Sequence, residues 1–361
     1  MRCLGPICWL TYCMCGLIHA LDARSCAMQA SPEKTLASKA AETSKTSRPW
    51  LAHWPLLRAF LRNRKAMLGV SIMFFFVMVA LLAPWIAPGN PKKMESRAHL
   101  APAWIADKPA PGGKTFLLGT TGQGQDVFRQ LVWGSRLSLT VGLSVGIAST
   151  ILGTIIGLTA GYLGGWVDDV LSLLTNVMLI IPGMPLLVIL AAFLKPGPVT
   201  VVMVLTITGW AWPARVMRSQ VLSLRAKDFI AASVVSGERT PRILFSEVLP
   251  NMSSVFVGSM VGSTVYAIGA DVGLAFLGLT DVGTTSWGTM LYWAQNNAGI
   301  LTGAWWTFVP VGICIALCAF ALTMLNYALD EITNPRLRAE KETTHGKRSR
   351  ANVLVTPVIR K

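Results

Sequence analysis

LRAKDFIAASVVSGERTPRILFSEVLPN, residues 224–251, reads as two short helices meeting at a sharp joint. Phe229, Ala232, Ser233 and Ser236 recur at helical spacing, and Gly237 is a natural residue for leaving the first helix. Thr240 followed by Pro241 forms an N-cap and first-turn pair for a second helix, which Pro250 ends. Arg215, Arg218, Arg225, Lys227, Arg239 and Arg242 lie in or just before the stretch, and long apolar runs flank it on both sides. A basic helix-turn-helix between two membrane spans faces the cytoplasm under the positive-inside rule, and it offers a surface to grip.

The composition places the rest of the chain in lipid. Of 361 residues, 53% are apolar and 14% charged, with a mean hydropathy of +0.53; a soluble domain carries about 25% charge. The formal charge of +15 comes from basic residues crowded into the tails and one loop, which is membrane topology rather than a nucleic-acid surface. Cys3, Cys8, Cys13, Cys15 and Cys26 sit together at the start, while Cys314 and Cys318 fall in an apolar helix. With no CxxC pair and with His19, His53, His99 and His345 scattered, the pattern is neither a disulfide framework nor a metal site.

Outward from the opening stretch, hydropathy predicts six spans at about 67–87, 135–161, 167–192, 197–214, 252–274 and 306–329. Residues 1–65 are a leader and flexible cytosolic tail; the part before Met28 is weakly like a signal peptide and reads as a non-structural leader. Residues 66–134 hold the first span and an external segment, 135–335 a five-helix core with a cytoplasmic loop at 215–250, and 336–361 a basic cytosolic tail. Both termini are then inside. Glycines 142, 146, 153, 157 and 161 make a stripe on the second span along which another helix can approach closely, and Gly258 and Gly262 with Ser259 and Ser263 read as another. Pro182 and Pro185 interrupt the third span, and Asp271 lies near the outer end of the fifth. Tryptophans 287, 293, 305 and 306 suit an interfacial belt.

Nothing in the chain forms a catalytic constellation. GGKT at 112–115 and GQGQD at 122–126 resemble pieces of phosphate loops but lack the strand and helix that such loops need. No membrane-embedded series of acids or histidines suggests a proton relay or cation coupling. A transporter without coupling groups takes its energy from elsewhere, and the 224–251 stretch is where a motor would hold it.

Here the chain resembles a family: the C-type permease subunit of the dipeptide/oligopeptide/nickel ABC importers, across about residues 56–338. LLGTTGQGQDVFRQLVWGSRLSLTVG (117–142) resembles the family signature LGTDxxGRDVxSRLxxGxRxSLxVG. GYLGGWVDD, FLGL (276–279), SWGTML (286–291) and NPRLR (334–338) follow in the family's order. The 224–251 stretch resembles the importers' coupling loop, with Gly237, Ile243, Leu249 and Pro250 matching. Departures are Ala231 for the loop's glutamate, Thr121 and Gln125 in the external signature, Asn176 for an acid in span three, and Asp271 for a longer acid.

The resemblance implies an all-α polytopic membrane protein, with six transmembrane helices of the type I ABC importer permease fold, in a bacterial or archaeal plasma membrane. It implies a permease rather than an enzyme, forming half of a pore for di- or oligopeptides. Its partners would be a B-type permease, two cytoplasmic ATPase subunits, an external substrate-binding protein and membrane lipid, with no nucleic acid. The chain itself would hold no cofactor, since ATP is bound by the ATPases. The expected ATPase-coupling residues are Arg225, Lys227, Phe229, Ile230, Ala231, Ala232, Ser233, Gly237 and Arg239, with Phe229 and Ile230 seated in an ATPase groove. With Ala231 in place of the acid, that contact rests on shape and apolar packing. Pore-lining candidates are Asn176, Pro182, Pro185 and Asp271. Import of nickel, opines or oligosaccharides is the alternative substrate reading. A secondary transporter or channel working alone, or an exporter permease or scaffold, are the rivals; neither needs the inter-helix glycine together with long external segments.

Overall fold

A computed structural model describes residues 63–105 and 115–333. The leader, the 29–62 stretch, most of GGKT and the tail from 334, with NPRLR in it, lie outside the described residues. No β-strand occurs among the described residues, only isolated bridges between Met94 and Gln125 and between Thr120 and Asp126. Among the described residues, four helices are long and apolar enough to cross a membrane, or six spans if each of two bent helix pairs counts as one.

α1 (Arg64–Leu81) starts at an Asn63 cap and is followed by one turn, α2 (Ala83–Ile86). α3 (Val127–Leu163) is the centre of the bundle. At about 1.5 Å per residue its 37 residues span roughly 55 Å, well beyond a hydrocarbon core of about 30 Å. It therefore begins inside the segment that hydropathy assigns to the exterior, at Val127 rather than 135. Polarity hid this first turn, whose start is set by Asp126 accepting a hydrogen bond from the Phe128 amide at 3.0 Å.

The glycine stripe does what its spacing predicts. Gly142 and Gly146 lie against Ile268 and Thr264 of α10 (Ser253–Phe276). Gly153, Gly157 and Gly161 lie against α7 (Ala211–Arg225), where a Cβ on Gly153 would stand 2.6 Å from the Trp210 carbonyl oxygen. The second expected stripe behaves differently. A Cβ on Gly258 would come no nearer than 3.3 Å, to the Asn326 side chain, and one on Gly262 would meet only Asn326 at 3.9 Å. Those two glycines leave space rather than close it.

The third and fourth spans are both bent. α4 (Gly165–Ile180) turns by 88° into α5 (Gly183–Phe193). Pro182 has no N–H to continue the ladder and holds Ile181 extended (φ −65°, ψ 127°), so the corner is written in the sequence. α6 (Pro198–Gly209) meets α7 at 41°, where Pro213 cannot donate to the Gly209 carbonyl. The fourth span and the first basic residues of the expected loop form one bent helix, so Arg215 and Arg218 sit on α7, not in a loop.

α11 (Trp287–Asn296) opens with a capping box between Ser286 and Thr289, and α12 (Val309–Thr333) closes the described chain. Trp287 does not join an interfacial belt. It is fully buried against Phe76, Met290 and Val311, and its indole N–H donates to the Leu131 carbonyl at 3.1 Å. The other end of the bundle closes around a separate apolar cluster that includes Leu158, Met217, Val221, Ile230, Ile243 and Val248.

Candidate functional site

Two features stand out: the short helical element after α7, and a groove elsewhere in the bundle. α8 (Asp228–Val235) follows α7 after a two-residue break. Gly237 leaves it with φ +76°, its amide donating to the Val234 carbonyl and the Glu238 amide to the Ser233 carbonyl. These two bonds satisfy the carbonyls at the end of α8, and the left-handed backbone between them is one that a side chain disfavours. The joint expected at Gly237 is therefore present in full.

The second helix of the pair, α9, covers 240–251 and differs in both ends. Arg239 occupies the cap position and Thr240 is already helical. Pro250 does not end the run; the turn before it, Ile243–Val248, widens to a π-helix, with the Leu249 amide reaching back to the Leu244 carbonyl. Pro250 lacks the N–H that would bond to Ser246 and crowds that carbonyl, so a wider turn is how the helix passes it. The run breaks at Met252, and α10 starts at once.

α8 has an inner and an outer side. Ile230 is buried among Met217, Val221 and Ile243, so it anchors α8 to its own chain and cannot seat in a partner, against expectation. Phe229 is 37% exposed, Val234 55% and Val235 88%. Ala231 and Ala232 are exposed beside them, and the hydroxyls of Ser233 and Ser236 return to the Phe229 and Ala232 carbonyls. What α8 presents is a small apolar cap ringed by exposed cations. Lys227 and Arg239 are among these, Arg225 lies against Gly164, and Arg242 pairs with Glu238 at 2.9 Å. Val234 and Val235, absent from the expected set, are its most exposed apolar members; the phase of Val235, about 140° from Ile230, was an available signal, whereas Val234 shares the face of Ile230 and its exposure was not readable from spacing.

The groove holds about 600 Å³ and runs between the α4–α5 corner, the α6–α7 bend, α10 and α12. Apolar walls from Met178, Trp212 and Val255 alternate with polar groups, chiefly Ser259, Ser263, Tyr266, Asn326 and Asp330. The space exists because Gly258 and Gly262 carry no side chains there. None of the four expected pore residues lines it. Asn176 is exposed and accepts a hydrogen bond from Arg215 at 2.7 Å. Pro182 makes the corner whose neighbours, Ile181 and Gly183, form the wall; Pro185 lies beyond it. Asp271 is buried and borders a different, water-sized cavity with Pro198, Thr280 and Asp281. Asn326 and Asp330, one helical turn apart in a mostly apolar helix, were a readable signal that hydropathy passed over.

At the far end, the segment before α3 is folded onto the bundle. The Thr120 hydroxyl donates to the Arg97 carbonyl at 2.7 Å and accepts from the Leu100 amide at 2.8 Å, and Trp306 donates to the Thr120 carbonyl. Arg129 and Glu95 form a largely buried ion pair at 2.6 Å. GQGQD is part of this stitching: Gln125 donates to the Lys92 carbonyl and accepts from Gln130. Burial pushes the Asp126 carboxyl above the usual carboxylate range, against the pull of its bonds to the Phe128 and Arg129 amides.

Residues 153–339, which contain α8, the joint and every groove-lining residue, match the model of the binding-protein-dependent transport system inner membrane component. This is a membrane permease. The chain belongs to that family, and residues 50–103 match a second model, the N-terminal transmembrane domain of oligopeptide transport permease C. The permease is 35% identical over 282 residues to the dipeptide transport system permease of Escherichia coli, covering 77% of this chain and 91% of the relative. It is 32% identical to the di/tripeptide transport system permease of Pseudomonas aeruginosa (78% and 91% covered) and 30% identical to the dipeptide transport system permease of Bacillus subtilis (82% and 90%). It is a multi-pass permease of a binding-protein-dependent system, as the resemblance implies.

Proposed function

We propose that the chain is one half of the pore of an ATP-driven importer of di- or oligopeptides. It would be paired with a B-type permease, driven by two ATPase subunits and loaded by an external binding protein. The carrying observation is α8: a short helix closed at Gly237, anchored inward by Ile230 and presenting Phe229, Val234 and Val235 outward. A membrane-buried chain without a motor has no use for such a cap. The relatives' peptide permease names support the peptide reading over nickel, opines or oligosaccharides.

In this account the α8 end is cytoplasmic, both termini lie on that side, and ATP is held by the partners alone. Closure of the ATPases would push α8, and α7 would carry the push into the bundle. The groove at Ser259–Asn326 would be this chain's half of the path, completed by the second permease. A peptide crossing it would meet hydroxyl and amide groups rather than a tight pocket, which suits cargo of varied side chains.

The test is reconstitution. Liposomes holding the whole complex should accumulate a labelled dipeptide only with ATP and binding protein. ATP-independent transport by this chain alone would establish the stand-alone transporter instead.

A further inference from the structure

α4 is attached to the rest of the chain in an unusual way for a membrane helix. Most of its apolar side chains point away: Leu173, Leu174, Val177 and Ile180 are all exposed, Thr175 is its one buried residue, and near its end Met178 and Leu179 pack against Trp210, Ala211 and Ala214 at the start of α7. Beyond that patch, what holds α4 to α7 is a polar stripe at i, i+4 and i+8. Asp168 takes both prongs of Arg218, Nε to Oδ1 at 2.5 Å and Nη2 to Oδ2 at 2.7 Å. Ser172 donates to the same Oδ1 at 2.9 Å, which fixes the carboxylate, and Asn176 accepts from Arg215 at 2.7 Å. The Asp168 and Arg218 side chains are only 16% and 35% exposed, so the pair is partly desolvated and two-pronged, unlike a loose surface contact.

The two helices lead to the two functional features. The C-terminal end of α7 leads into α8 across a two-residue break, and the C-terminal end of α4 supplies Met178 and Leu179 and is followed by the corner residues Ile181 and Gly183 of the groove. We propose that Asp168, Arg218, Asn176 and Arg215 are positioning residues that make α4 travel with α7, so that displacement of α8 reaches the groove wall at the Pro182 corner. The apolar contact at Met178 and Leu179 alone would let α4 pivot about its end, because Leu173, Leu174 and Val177 along its length are exposed. The geometry of a bidentate rung resists both sliding and rotation, and a second rung about two turns along resists tilting. This inference rests on the importer reading, since it concerns how the motor's movement is delivered.

The experiment uses the complete complex in liposomes and reads ATP hydrolysed per labelled dipeptide accumulated. Asp168→Arg and Arg218→Asp singly should raise that ratio about tenfold, the size of effect that breaking one directly coupled pair produces, and the double exchange should bring it back within about twofold of wild type. Retention of the ATPase subunits on purification shows that each variant is assembled. Should the reversals fail to assemble, Asp168→Asn and Arg218→Lys, which keep a single prong, should raise the ratio in the same direction. Assembled single variants with the wild-type ratio, or a double exchange no better than its parents, overturns the proposal. A wild-type complex that moves dipeptide without ATP overturns the importer reading instead.

Discussion

Replacing Gly157 by Ala sets the packing of α3 on α7 against the helix propensity of α3. A Cβ at Gly157 would stand 2.5 Å from the Ala214 carbonyl oxygen, 2.8 Å from Met217 Cβ and 3.0 Å from the Arg218 amide nitrogen. Unstrained contacts of this kind lie at about 3.5–4.0 Å, so α7 has to withdraw by roughly 1 Å. Two of the three obstacles are backbone atoms, which no rotamer change relieves. Gly153 and Gly161 hold α7 just as closely on either side, so withdrawal opens gaps along the whole seam. Overpacking of this sort costs about 1–3 kcal/mol, against a propensity gain of about 1 kcal/mol. Gly269, inside α10, supplies the reference, because a Cβ there meets nothing within 4 Å. The propensity gain is common to both changes and cancels, so Gly157→Ala should be less stable than Gly269→Ala by about 1–3 kcal/mol. Heating each purified protein with a thiol-reactive dye reads this directly: Cys318 is fully buried in α12 and reacts only on unfolding, once the five leader cysteines and the half-buried Cys314 are replaced by Ser. Equal stability of the two variants, or a more stable Gly157→Ala, would refute the close approach of α3 and α7.

Gly237→Asp should abolish ATP-driven uptake while leaving the protein inserted and at normal levels. Its Cβ meets nothing within 4 Å, and the left-handed backbone costs a non-glycine residue only about 1–2 kcal/mol, so the loss lies at the partner surface; full uptake by a well-expressed variant would sink the coupling assignment. Asp126→Ala should lower stability by about 1 kcal/mol through loss of the α3 cap, whereas Asp126→Asn keeps an acceptor and should lose little, as paired unfolding curves would show. Because burial raises the Asp126 carboxyl in the folded state, wild type should lose some stability as pH rises from the unfolded value through the raised one. Asp126→Asn should lack that slope, and an identical slope in the variant would assign it to another group.

Hydropathy and punctuation carried most of the fold. Pro182, Gly237 and the glycines of α3 each announce a backbone event that depends on the residue itself, so each was readable and each is present. What was misread depends on where a side chain points in three dimensions. Trp287 has the composition of an interface residue, yet it plugs the core because Phe76 and Leu131 approach it from helices distant in sequence. Ile230 and Val235 are both apolar residues of one short helix, and the packing of α7 and α9 decides that the first is an anchor and the second is left exposed. Gly258 and Gly262 have the same spacing as the α3 stripe. The helix that would have closed on them carries Asn326 and Asp330 at that level, and the space stays open as a groove. Pro250 shows a subtler limit, since a proline that should stop a helix is instead absorbed by a π-turn.

The central claim is that the outward side of α8 is where an ATPase subunit holds this permease. Single cysteines at Val235 and at Ile230, each in a complex otherwise free of reactive thiols, test it through short bifunctional cross-linking to cysteines on the ATPase. The account predicts efficient permease–ATPase cross-links from Val235, changing in yield when ATP is added, and none from the buried Ile230. Absence of any cross-link from Val235 in an assembled, ATP-hydrolysing complex, or equal cross-linking from Ile230, would contradict it.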